Sequence, residues 1–160
     1  MHEPTFSTSA AVAASPPPGS VLPVRVYYED TDAGGVVYYA NYLRFCERAR
    51  TEYLRALGFE QERLLRDGGF VFVVRSVHAD YLSPAKLDDS LTITSSVSTL
   101  HPVSIYFLQR ITRGDTLLFT AEIKIVCVSV STGRPLPWPD ALRDCFHAQL
   151  SPDPAPAPRP

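Results

Sequence analysis

Cysteine is scarce in this 160-residue chain: there are three, and Met and Trp occur once each. Cys46, Cys127 and Cys145 are odd in number and unclustered. That fits neither a disulfide framework nor a zinc site and makes a reducing cytoplasm the expected compartment. No excess of one charge exists, with 15 Lys and Arg against 17 Asp and Glu for a net of −2. A nucleic-acid footprint wants a basic face, so that class of partner is excluded. No apolar run approaches the ~18 residues a spanning helix needs. The first residues do not read as a secretory signal, because Glu3 is present, no Lys or Arg precedes Arg25, and the apolar run AAVAA is too short. Also missing are a G-x-S-x-G elbow, an H-x-x-x-H pair and a phosphate-cradling Gly loop of the Walker or dinucleotide type. The four histidines, His2, His78, His101 and His147, are scattered, and none is near an acidic cluster in sequence.

Proline, by contrast, is abundant and unevenly placed. Ten of the 15 lie in residues 1–23 and 151–160. We expect disordered Ala/Ser/Pro-rich tails over 1–22 and 151–160, flanking one domain over 23–150. A domain of that size buries enough surface for a core without staples.

Within it, Val24–Glu29 reads as a short first strand. The best helix follows, with apolar residues at Tyr42, Phe45, Cys46, Ala49, Tyr53, Leu54 and Leu57 forming one stripe. Arg44, Glu47, Arg48, Arg50, Glu52 and Arg55 are assigned to the opposite, polar face, and Gly58 is the expected left-handed stop. A helix striped on one side must lie across a flat apolar surface. Phe70–Leu82, Ser90–Val97, Val103–Ile111 and Leu117–Val130 supply it as β-branched and aromatic segments. Leu117, Phe119, Ala121, Ile123, Ile125 and Cys127 alternate with Thr120, Glu122 and Lys124; Val103, Ile105, Phe107 and Ile111 do so against Ser104 and Arg110. The short link Thr112–Thr116 requires antiparallel neighbours. The expected fold is α+β, a single five-stranded antiparallel-dominated sheet wrapped around one long central helix. That order of strand, loop, helix and four strands is the hotdog architecture.

The densest chemistry is in Val26–Phe45, reading VYYEDTDAGGVVYYANYLRF. Glu29, Asp30 and Asp32 end a strand, Ala33-Gly34-Gly35 turns the chain, and an aromatic run enters the helix. Three carboxylates so close cannot all ionise comfortably, a mark of functional tuning. The plainer alternative is an acidic residue capping a glycine turn. A calcium loop fails, since its fifth position would be Gly34 and its twelfth Asn41, so no metal is expected. A carboxylate facing the free N–H groups of a helix start is the minimum equipment for acyl transfer without serine, cysteine or metal. Asp88-Asp89 reads as a solvated turn, and Cys46 and Cys127 as small buried hydrophobes.

The stretch VYYEDTDAGGVVYYANYLRFCERARTEYLRALGF closely resembles the hotdog-fold acyl-CoA thioesterases, above all their Tol–Pal-associated (YbgC-type) branch, with hydroxybenzoyl-CoA thioesterases more distant. VVRSVHADYLSPAKLDD and AEIKIVCVSVSTGRP continue the similarity in order, over about residues 24–138. The resemblance implies hydrolysis of acyl-CoA to a free acid and CoA with no cofactor. It implies Asp32 as the essential carboxylate and the Tyr39 backbone N–H as the donor that polarises the thioester carbonyl. Gly34, Gly35, Val37 and Tyr38 are the expected substrate contacts, and Arg75 and Lys86 the expected anchors for the nucleotide end of CoA. It further implies a homodimer or homotetramer with each active site at the dimer interface. The chain departs where the branch often carries His, since Tyr39 stands there, and at Leu100-His101-Pro102-Val103, which lacks the basic cluster of hydroxybenzoyl-type enzymes. Two other readings stay open: a hotdog dehydratase or hydratase, which pairs a catalytic His with an acid, and a non-catalytic acyl-thioester-binding or envelope-associated adaptor.

Overall fold

A computed structural model describes residues 20–150. Residues 1–19 and 151–160, expected as tails, lie outside the described residues. Val21 and Leu22, assigned above to the tail, instead begin strand β1 (Val21–Arg25), which pairs antiparallel with β3 (Ser90–Leu100) from Val21 opposite Thr94 to Arg25 opposite Ser90. The first strand thus lies earlier than the expected Val24–Glu29. Pro23 misled the reading. A proline is tolerated on an edge strand, where one N–H has no ladder partner to lose, and β1 is an edge. Past Val26 the chain turns through one 3₁₀ turn, Tyr28–Asp30, because the Asp30 carboxylate accepts the Tyr27 N–H at 2.8 Å.

The other strands are β2 (Phe70–Tyr81), β4 (Ser104–Arg113) and β5 (Thr116–Ser129). The sheet order is β1-β3-β4-β5-β2, with every neighbouring pair antiparallel. The β4–β5 link is a tight hairpin closed by Arg113 opposite Thr116, with Gly114 at φ +56°. A two-residue hairpin loop needs such a left-handed residue, and glycine supplies it without a Cβ clash. On β5, Leu117, expected among the inward residues, is half-buried and Leu118 is buried instead, because the register against β4 shifts at that point. From there Phe119, Ala121, Ile123, Ile125 and Cys127 are buried, the expected alternation. They face helix α1 (Asn41–Ala56), which buries Tyr42, Phe45, Cys46, Ala49, Tyr53 and Leu54 and ends before Gly58 at φ +92°.

Arg50 departs from its expected place on the polar face, being only 9% exposed. The reason is Gln109, a polar residue among the inward positions of β4 and 1% exposed. Its Oε1 accepts Arg50 Nη1 at 2.8 Å, while its Nε2 donates to Cys46 O and Ser95 Oγ, each at 2.9 Å. The guanidinium turns inward because its acceptor is there.

Two further helices were not anticipated. Helix α2 (Gln61–Gly68) and helix α3 (Asp140–Gln149) are short, and α3 buries only Leu142 and Phe146. One or two apolar side chains make no periodic signal.

A β-bulge at Arg75 shapes the outer edge. Val74 pairs with Ile125 and Ser76 with Lys124, so Arg75 is the extra residue. Before it, Phe70, Phe72 and Val74 face the helix; after it, Val77 pairs with Ile123, Ala79 with Ala121 and Tyr81 with Phe119. One inserted residue swaps which parity points inward. Here that brings Tyr81 to the same side as the start of α1.

Candidate active site

The acidic stretch divides into two jobs. Asp30 is buried, its carboxylate holding Tyr27 N–H and its carbonyl accepting both Tyr38 N–H and Asn41 Nδ2, each at 2.9 Å. It ties the turn before the loop to the first residue of α1. Glu29 and Asp32 are exposed. The loop between them and the helix is zipped at its base by a bridge of Thr31 with Val37, and Asp32 N–H donates to Val36 O at 2.9 Å.

Asp32 Oδ1 accepts the Gly34 N–H at 2.8 Å, so this carboxylate does cap its own turn. A Cβ at Gly34 would stand 3.1 Å from the same oxygen, so a side chain there would make the carboxylate give by a few tenths of an ångström. Gly35, at φ +77°, accepts a backbone that side chains resist. The other carboxylate oxygen has no protein donor among the described residues.

The helix start is built with equal economy. Asn41 N–H donates to Tyr38 O and Tyr38 N–H to Asp30 O, but the Tyr39 N–H finds no acceptor among the described residues. Tyr39 stands one residue before the N-cap Ala40, where the positive end of the α1 peptide dipoles lies. Tyr39 is held from its other side: Tyr81 Oη donates to Tyr39 O at 2.9 Å. Tyr81 stacks edge-on against Tyr42 at 5.4 Å and Phe119 at 5.0 Å, and Tyr42 Oη accepts the Ala85 N–H. The Tyr38 phenol is held above its ordinary range, first by the Tyr39 side chain beside it and last by the charge of Asp32. Carboxylate and free amide thus share one end of the domain, with aromatic rings around them.

The fold thus combines a five-stranded sheet and one long helix with an exposed carboxylate at Asp32 and, seven residues on, an N–H that has no acceptor among the described residues. The Thioesterase-like superfamily profile matches residues 26–146. The chain belongs to that superfamily. It is 48% identical over 129 residues to an acyl-CoA thioesterase of the YbgC type from Haemophilus influenzae, covering 81% of this chain and 95% of that one. A Helicobacter pylori acyl-CoA thioesterase of the same type is 39% identical, covering 78% and 97%. Among solved structures, a probable thioesterase from Bartonella henselae superposes with a TM-score of 0.72 at 38% identity, covering 74% of this chain and 98% of that one.

In this thioesterase-like domain the other expected site residues fall in different places. Tyr38 is exposed beside the loop. Val37 is buried, its N–H donating to Ala85 O at 2.9 Å. Lys86 is exposed and adjoins the loop through a bridge with Val36. Arg75 is exposed on its bulge, six residues before Tyr81 and so roughly 20 Å along β2 from it. Asp88-Asp89 forms the expected turn, with Asp88 exposed at φ +68°, but Asp89 is half-buried and paired: its Oδ2 takes Arg113 Nη1 at 2.7 Å and Lys86 N–H at 2.9 Å. Cys46 and Cys127 are buried, which pushes their thiols up to about 12 and about 11. Neither supplies a thiolate at neutral pH. Tyr81 and Asp30 were missed as positioning residues. Asp30 was legible only as one acid among three, and Tyr81 depends on the bulge.

Proposed function

We propose that this protein hydrolyses acyl-CoA thioesters to a free carboxylic acid and CoA. The reading is supported by an exposed Asp32 carboxylate in the loop that leads to α1 and a Tyr39 N–H with no acceptor among the described residues, in a chain of the Thioesterase-like superfamily. The thioester oxygen accepts the Tyr39 N–H, where the helix dipole favours the growing negative charge. Asp32 then either attacks the carbonyl carbon, expelling CoA thiolate and leaving a mixed anhydride that water opens, or takes a proton from a water that attacks in its place. Thiolate leaves readily, so no strong general acid is required. Tyr39 in place of the branch's usual His retains the backbone donor and removes an imidazole.

Gly34 and Gly35 let the thioester approach the backbone, Tyr38 flanks it and Val37 props the loop from the core. Lys86 is the nearer of the two cations proposed for the CoA phosphates; Arg75 serves only from a neighbouring subunit. In the single chain the site is open to water, whereas preorganised donors act best where water is excluded. We infer a homodimer that closes it, joined at the β2 edge. In support, Val73, Val74, Val77 and Tyr81 are 43, 47, 38 and 49% exposed along a free strand edge, a liability that soluble proteins cover. A tetramer of such dimers is compatible. The three unpaired cysteines support a cytoplasmic location, and among the described residues no helix is long and apolar enough to cross a membrane. The link to the Tol–Pal envelope system rests on resemblance.

Asp32→Asn tests the reading. CoA release, followed with a thiol-reactive dye, should fall at least ~10²-fold with the fold intact. Near-normal turnover in that variant refutes the assignment. Single-turnover hydrolysis in oxygen-18 water separates the two roles, since only the anhydride route deposits label in the Asp32 carboxylate.

A further inference from the structure

We propose that Tyr81 is a positioning residue for the reaction: its hydroxyl, by holding the Tyr39 carbonyl, fixes the aim of the Tyr39 N–H, so that its loss slows turnover while substrate binding is kept. The assignment rests on the hydrolytic reading above and adds to it what keeps the donor in place.

Tyr39 lies outside the α1 ladder. The helix begins at Asn41 and its N-cap is Ala40. A regular α turn carries the N–H of residue 43 to the carbonyl of residue 39. Here the Leu43 N–H donates to Ala40 O instead, at 3.2 Å. Among the described residues the helix therefore holds neither the N–H nor the C=O of Tyr39. A residue in that situation keeps its direction only if the rigid peptide planes on both sides are tied down. The plane between Tyr38 and Tyr39, which carries the donor, is tied at its oxygen, where Tyr38 O accepts the Asn41 N–H at 2.8 Å. The plane between Tyr39 and Ala40 has one anchor among the described residues, the Tyr81 hydroxyl donating to Tyr39 O at 2.9 Å. Without that anchor the segment can rock, and the N–H one Cα away rocks with it.

Tyr81 is itself well fixed. It ends β2 opposite Phe119. Its ring meets Phe119 at 5.0 Å, Tyr42 at 5.4 Å and Tyr39 at 6.4 Å, each edge-on. Phe119 and Tyr42 are buried, so the first two contacts form a firm wall. Burial first, and then Tyr39 and Tyr42 beside it, push the Tyr81 phenol above its ordinary range. The hydroxyl therefore keeps its proton, and its role as donor, at neutral pH.

A tie that served only the fold would behave differently. Tyr39 is 63% exposed, so water can replace the lost donor at its carbonyl and little stability goes with it. The aim of the N–H is far more sensitive. A misplacement of about 1 Å can cost on the order of 10²-fold in rate, and removing an oxyanion donor costs about 10²–10³-fold. Loosening the donor without removing it should cost about tenfold.

Tyr81→Phe keeps the ring and removes only the hydroxyl. For acyl-CoA hydrolysis, kcat should fall about tenfold with KM within about twofold of wild type. Tm should fall by no more than about 4 °C. The shape of the pH–rate profile should not change, because Tyr81 moves no proton. Incorporating 4-aminophenylalanine at position 81, which returns an N–H donor to the ring, should regain most of the lost turnover. Wild-type kcat in Tyr81→Phe, a loss confined to KM, an altered pH profile, or a fall in Tm beyond about 10 °C each overturns the proposal. One measurement needs no turnover. With nitrogen-15 tyrosine only the eight tyrosine amides are seen, and Tyr39→Phe assigns the one at position 39. Its order parameter should stand near ~0.85 in wild type and drop below ~0.6 in Tyr81→Phe. An equally rigid Tyr39 amide in both proteins overturns the proposal. A loosened amide in a protein that releases no CoA overturns the hydrolysis and keeps the hold of Tyr81.

Discussion

Gln109→Leu isolates the polar tie between α1 and the sheet. It removes three hydrogen bonds, to Arg50 Nη1, Cys46 O and Ser95 Oγ, all between 2.8 and 2.9 Å and all buried. At about 1 kcal/mol each the direct loss is about 3 kcal/mol. The stranded guanidinium adds to it: burial lowers the Arg50 pKa, and leaving a buried charged donor without an acceptor costs more than the ~1–3 kcal/mol of a neutral group. Leucine has similar bulk and recovers some transfer energy, so we expect a net loss of about 3 kcal/mol. For a domain of this size that lowers Tm by roughly 10 °C. Urea unfolding with an unchanged m-value measures it. Arg50→Met combined with Gln109→Leu should regain part of the loss, because no buried cation is then stranded, although Ser95 Oγ still lacks the donor it had from Gln109. A loss below about 1 kcal/mol for Gln109→Leu, or strictly additive behaviour in the double variant, would refute the account of why Arg50 is buried.

Other outcomes follow from the loop and its neighbour. Gly34→Ala should displace the Asp32 carboxylate, since the new methyl would stand 3.1 Å from Oδ1; we expect kcat to fall about tenfold with Tm little changed, read by the same dye assay, and wild-type kcat would contradict the need for that contact. Asp89 contributes pH-dependent stability. Partial burial raises its pKa, but the Arg113 hydrogen bond, the Lys86 N–H and their charges outweigh this and hold it below the usual 3.8. Its stabilisation is therefore present above pH 3.8 and lost as pH falls through the lower folded value. Asp89→Asn should be about 0.5 kcal/mol less stable than wild type at pH 6, with the difference closing toward pH 3 in denaturant titrations.

Much of the fold was legible because it rests on periodicity. The stripe from Tyr42 to Leu54 and the alternation on β5 from Phe119 to Cys127 are repeating patterns that only one face can satisfy, and both stand as expected; at Leu117 a register shift breaks the pattern and buries Leu118 instead. Gly58 was readable as punctuation for the same local reason. The failures are residues whose role depends on something distant. Val21 and Leu22 became strand because β3 offers them a ladder. Arg50 turned inward because Gln109 waits there. Helices α2 and α3 bury too few side chains to leave a mark. In the site, the acidic turn and Gly34-Gly35 were visible as chemistry, while the hold of Tyr81 on Tyr39 was not.

By itself the amino-acid order determined the local choices: which segments pleat, which coil, where the chain must turn, and that a carboxylate stands seven residues before an aromatic helix start. Those are short-range matters of backbone sterics and side-chain spacing. Tertiary structure decided which acid caps the turn and which ties down the helix, that a single bulged residue at Arg75 rotates Tyr81 toward the start of α1, and that Trp138 and Phe146 pack together beside residues from far earlier in the chain. Such outcomes depend on partners dozens of residues away meeting in space, and no local pattern encodes which donor will find which acceptor.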